Sequence, residues 1–144
     1  MPPFKKFLLL LPVLAFAATT QVTTDKPIIN FRLPAFTPEG HRSWLVRGSE
    51  ARFITSDQID IRELTLSIFP GKAENEKVET MILSPVARVQ PAESLVTGPG
   101  PIRVVNDDFE ASGSDWRYLH KEKRVSINRQ VHVTFRAEFK NFLK

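Results

Sequence analysis

Three histidines, His41, His120 and His132, are the first residues to weigh for chemistry. They fall near a turn, at a hairpin tip and on the polar face of a strand. No HxH or HExxH spacing joins them, so the pattern that holds zinc on one face of a helix or strand is missing. Asp107-Asp108 and the pair Asp57 and Asp60 carry charge suited to calcium, but aspartates in such clusters also build turns. The sequence has no cysteine, which excludes a thiol nucleophile, a disulfide and a lipoprotein lipobox together. No GxSxG motif is present. Gly98-Pro99-Gly100 is glycine-rich but lacks the lysine and the following helix of a phosphate-binding loop. Glycoside hydrolysis needs two facing carboxyl groups, and nothing in the sequence places two of them together. The residues read as a non-enzymatic protein with no cofactor and no metal site.

The elements that position side chains begin with a leader. Lys5 and Lys6 precede an apolar run from Phe7 to Ala18, which ends in the small-x-small pattern Ala15-Phe16-Ala17. This run is too short for a bilayer span, which takes about 20 apolar residues. Residues 1–17 are therefore expected to be a cleaved signal peptide that exports the chain to the periplasm, with inner-membrane anchoring less favoured. Two of the four net positive charges are Lys5 and Lys6. No run of five like charges exists, so a nucleic-acid footprint is not supported. Residues 18–27, rich in threonine, read as a flexible lead-in, residues 28–136 as one domain, and residues 137–144 as a C-terminal tail.

Within the domain, apolar and polar residues alternate with period two. Ile29, Phe31 and Leu33 form one such run. Trp44 with Val46, Ala51 with Phe53, and Ile59 with Ile61 follow. Leu64, Leu66 and Ile68 form another, and Val131, Val133 and Phe135 the last. Each reads as a strand with one apolar face, the signature of an antiparallel sheet packed on one side. Thr37-Pro38-Glu39-Gly40, Pro70-Gly71, Thr97 to Pro101, Asn106-Asp107-Asp108, Ser112 to Asp115 and Lys121-Glu122-Lys123 read as turns or breaks.

An internal repeat is visible. Gly48-Ser49-Glu50-Ala51-Arg52-Phe53-Ile54 aligns with Gly113-Ser114-Asp115-Trp116-Arg117-Tyr118-Leu119. Ile59-x-Ile61 aligns with Val125-x-Ile127, and Leu64-x-Leu66-x-Ile68 with Val131-x-Val133-x-Phe135. In the first copy the apolar parity shifts from odd to even numbers across Arg62-Glu63. A one-residue slip would turn the strand inside out unless a bend absorbs it. Bends are therefore expected at Arg62-Glu63 and at Asn128-Arg129-Gln130.

These stretches resemble the lipopolysaccharide-transport periplasmic proteins, the LptC-like and OstA-like (LptA) family. The resemblance runs from Phe31 to Phe135. It rests on Phe31 to Gly40 followed by Trp44, on Ala51 to Phe69, and on a closing unit. That unit contains Gly100, Ile102, Val104, Phe109, Ala111, Tyr118, Val125, Ile127, Val131, Val133 and Phe135. The final kink departs from the family, with Arg129-Gln130 before Val131 where Gly-Asn is usual.

The resemblance implies an all-β fold, a curved antiparallel β-jelly roll forming a V-shaped trough. It implies a trough that shields the acyl chains of lipopolysaccharide or a similar acylated lipid. It also implies strand edges that pair with other β-jelly-roll transport proteins, and an inner-membrane transporter complex as a further partner. The inner-face candidates for lipid contact are Ile59, Ile61, Leu64, Leu66, Ile68, Tyr118, Val125, Ile127, Val131, Val133 and Phe135. Two other readings use the same strands. One is a secreted carbohydrate-binding or glycan-active jelly roll using Trp44 and Trp116. The other is a structural envelope adaptor without lipid cargo. Alternation alone does not separate an open trough from an ordinary sealed core.

Overall fold

A computed structural model describes residues 26–73 and 77–136. The expected signal peptide, most of the lead-in and the C-terminal tail lie outside the described residues. The described chain forms seven strands. They are β1 (Ile28–Phe36), β2 (Arg42–Thr55), β3 (Gln58–Ile68), β4 (Thr80–Gln90), β5 (Leu95–Asn106), β6 (Phe109–Leu119) and β7 (Arg124–Phe135). A single 3-10 turn, Pro91–Glu93, joins β4 to β5. All neighbours are antiparallel and the sheet order is the chain order, β1 to β7. The fold is the expected all-β architecture, one open sheet folded into a trough.

The fold line crosses the middle of the strands. Asn30, Glu63, Asp115 and Gln130 each sit inside a strand with φ between 52° and 56°, a left-handed conformation that strand residues seldom take. The bends expected at Glu63 and Gln130 are both there. At the line the buried side chains change parity. In β2 they pass from Trp44 and Val46 to Ala51, in β3 from Ile59 and Ile61 to Leu64, Leu66 and Ile68, and in β4 from Ile82 and Ser84 to Ala87 and Val89. The bend turns both apolar runs of a strand toward the same interior. The two arms then face one another over one continuous core.

Two sequence expectations need correction. Thr97 to Pro101 does not end a strand; it lies within β5. Ser112 to Asp115 likewise lies within β6. Both segments carry the residues of turns because the fold line demands them. Pro99 and Pro101 have no N–H to give to a ladder. Accordingly the β4–β5 pairing lapses between Leu83↔Arg103 and Arg88↔Thr97. Buried Ser84 spans that gap, its hydroxyl donating to the Pro101 carbonyl at 2.7 Å. Strand β4, with Pro85 in its middle, was not visible in the alternation.

Candidate functional site

The arms cover the eleven inner-face candidates unequally. Ile59, Ile61, Leu64, Leu66, Ile68 and Tyr118 are buried. Val125 and Ile127 are half-buried against the core. Val131, Val133 and Phe135 are open, at 52 %, 45 % and 64 % exposure. The division follows sheet order. A central strand has neighbours on both sides whose side chains cover its own, while β7 is the last strand of the sheet. Val131, Val133 and Phe135 thus form an apolar strip beside one edge.

That strip borders a cavity of about 370 Å³. Ile68, Tyr118, Val125, Ile127, Val131 and Val133 line it, six of the eleven candidates. Val104, Phe109 and Ala111 complete its apolar wall, and Glu79, Thr80 and Lys123 add polar groups. Phe109 is among the aromatics that the sequence offers as trough-lining, whereas Val104 and Ala111 match the family pattern without being lining candidates. Glu79 and Lys123 had no signal, being charges in connecting segments.

A polar cluster joins the arms at one end of this cavity. His120, just past β6, lies between two hydroxyls. Its Nε2 is hydrogen-bonded to Ser43 Oγ of β2, and its Nδ1 to Tyr118 Oη at 2.9 Å. The imidazole stacks on the Trp44 indole with centroids 4.7 Å apart and planes 11° apart. Trp44 also lies tilted against Tyr118, 6.4 Å between centroids. Lys123 Nζ donates to the Phe69 carbonyl at 3.5 Å and lies 3.9 Å from the Glu79 carboxylate. Arg42 sits over the Phe69 ring at 5.5 Å, a cation–π contact. Burial, aided by the Lys123 charge, lowers the His120 pKa. Burial and the Glu79 carboxylate raise that of Tyr118. Both shifts favour the neutral forms of the two groups.

Ser43 and His120 have the chemistry of a nucleophile and its base. At Nδ1, however, the partner is the neutral Tyr118 hydroxyl, where a catalytic triad places a carboxylate that stabilises the imidazolium. The pair is a hydrogen-bonded link between β2 and the turn after β6.

Asp57 and Asp60, singled out from sequence, have local partners. Asp57 Oδ1 accepts from the Ala92 amide at 2.8 Å. Asp60 takes both arms of the Arg88 guanidinium, at 2.8 and 3.3 Å. Asn106 Oδ1 accepts from the Asp108 amide at 3.0 Å and closes the β5–β6 turn. Among the described residues no group of three or more His, Cys, Asp or Glu side chains is gathered as a metal would require. No helix among them is long and apolar enough to cross a membrane. Trp44 and Trp116 are 4 % and 2 % exposed, so neither offers the open aromatic platform on which a sugar ring would stack. Neither a scan of protein-family models nor a search of curated proteins finds a match to the chain.

Proposed function

We propose that this protein is a non-enzymatic lipid-transport component of the periplasm, related to the LptC-like and OstA-like proteins. Its folded sheet shields acyl chains of lipopolysaccharide or a similar lipid, and its terminal strand edges dock to sheets of partner proteins. The observation that carries the reading is the open apolar strip Val131, Val133 and Phe135 beside the cavity. A soluble sheet ordinarily covers such a strip. Each methylene moved from water onto it contributes about 0.8 kcal/mol, so an acyl chain of ordinary length gains enough to be held.

Strand edges support the second half of the reading. The outer edges of β1 and β7 have no strand partner among the described residues. Backbone N–H and C=O groups along such edges invite another strand. A strand added beside β7 would also lay its side chains over Val131 and Val133, extending the apolar surface from one protein into the next.

Cargo is tested by placing a photocrosslinking amino acid at Val133 in cells. Adducts containing lipopolysaccharide are expected from Val133 and not from a position on the outer face such as Arg117. A folded protein whose Val133 adducts never contain the lipid would overturn the reading.

A further inference from the structure

The cluster at His120 is more than core packing. Its members come from opposite ends of the sheet order, Ser43 and Trp44 from β2, Tyr118 and His120 from β6 and the turn after it. They meet only because the sheet is folded. Tyr118 belongs to the cavity wall and Lys123 to its rim. We propose that His120 is a clasp that holds the two arms together at this end of the cavity, and that protonation of its ring releases them.

The geometry favours a neutral ring. One ring nitrogen of a neutral imidazole donates and the other accepts. The two hydroxyls, each able to do either, satisfy both. Stacked on Trp44, the ring is half-buried, where a charge is poorly solvated. The charged groups around it come from several elements. Lys123 follows in the same turn, with exposed Lys121 and Glu122 between them. Glu79 precedes β4 and is turned to Lys123. Arg42 opens β2 and lies over Phe69. Among the described residues, the Glu79 carboxylate is thus turned to Lys123, and the imidazole's hydrogen-bond partners are the two neutral hydroxyls. An imidazolium therefore gains by moving toward water, which means leaving Trp44 and Ser43. The His120 amide stays bonded to the Ser94 carbonyl at 2.9 Å, so the β6 end keeps its place and the separation falls between β6 and the start of β2.

What enters the opened cavity rests on the lipid-shielding reading; the opening itself does not. The chain lacks cysteine, so spin labels attach only where cysteines are introduced. Labels at Glu39→Cys, in the β1–β2 turn, and Lys121→Cys report the distance between the arms by electron paramagnetic resonance. The expected result is a longer, broader distance distribution as pH falls from about 8 to about 5. The change should track the His120 proton resonance measured on the same protein. It should be absent in His120→Gln, which stays neutral. If that variant does not fold, Ser43→Ala substitutes for it and should widen the distribution at the upper pH already. A distribution that stays fixed while His120 protonates would overturn the clasp, as would an equal widening in His120→Gln. Nile red, which carries no charge to titrate, is added in parallel. Widening with a several-fold gain in Nile red fluorescence supports both the clasp and the apolar cavity. Widening without the gain leaves the clasp standing and tells against the shielding function.

Discussion

Gly113 of β6 lies so close beneath Ile127 of β7 that a β-carbon on it would overlap the Ile127 Cγ2 methyl and stand 2.7 Å from the Arg129 carbonyl oxygen. Gly48 of β2 stands in the same relation to Ile61 of β3, with the Arg62 carbonyl oxygen 3.0 Å away. The two glycines begin the aligned segments of the internal repeat, and each lies just before the bend residue of the partner strand, Glu63 or Gln130. The hairpins β2–β3 and β6–β7 are thus folded by one device used twice. A strand pivots over a bare backbone position, and the facing residue takes positive φ.

Alanine at either glycine should therefore destabilise the fold. Overpacking of a close contact costs about 1–3 kcal/mol, and the neighbouring carbonyl leaves little room to relax. Gly40 serves as control, since a β-carbon there meets nothing within 4 Å and the cost would come from its φ of +90° alone. Urea unfolding of Gly48→Ala, Gly113→Ala and Gly40→Ala measures the difference. The first two should lose at least as much as the third.

Those bends were legible in the sequence because parity must be conserved across a strand that stays buried. Glu63 could be located from the numbering of Ile59, Ile61, Leu64 and Leu66 alone. The bends in β5 and β6 were misread as turns, since Gly, Pro and Ser mark any departure from extended backbone, whether the chain reverses or folds over. Coverage was not legible at all. Leu66 and Val133 occupy corresponding places in the repeat, yet one is buried and the other open. Alternation reports which face a side chain takes, and only sheet order decides what lies above it.

That contrast yields a second prediction. Leu66→Ala should cost about 2–5 kcal/mol, as large-to-small changes in a packed core do. Val133→Ser should change stability by less than about 1 kcal/mol, since its side chain is already half in water. If the open strip holds lipid, Val133→Ser loses Nile red binding while unfolding at nearly the same urea concentration as the parent.

Trp116 offers a third. Its indole covers Gly98, where a β-carbon would fall 2.5 Å from Nε1, and that buried Nε1 has no hydrogen-bond partner among the described residues. Replacing a group whose hydrogen bond is unmade removes a penalty along with the contact. Trp116→Phe should therefore cost clearly less than Trp116→Ala, for which about 3–5 kcal/mol is expected. Gly98→Ala should be severe, because the ring cannot move without opening the core. Thermal melts of the three variants rank them, and a Trp116→Phe as damaging as Trp116→Ala would show that Nε1 is satisfied after all.

The lowered pKa of His120 has a consequence for stability that is separate from the motion of the arms. A histidine harder to protonate in the folded chain binds fewer protons there than in the unfolded chain, whose ring keeps its ordinary value of 6.5. Stability then rises with pH wherever the unfolded state holds the extra proton. The contribution is fully present above 6.5 and is lost as pH falls through that value toward the lower folded one. Urea midpoints measured from about pH 8 to pH 5 should fall in the parent. In His120→Gln the fall should be shallower, and a slope equal to that of the parent would remove His120 as its source.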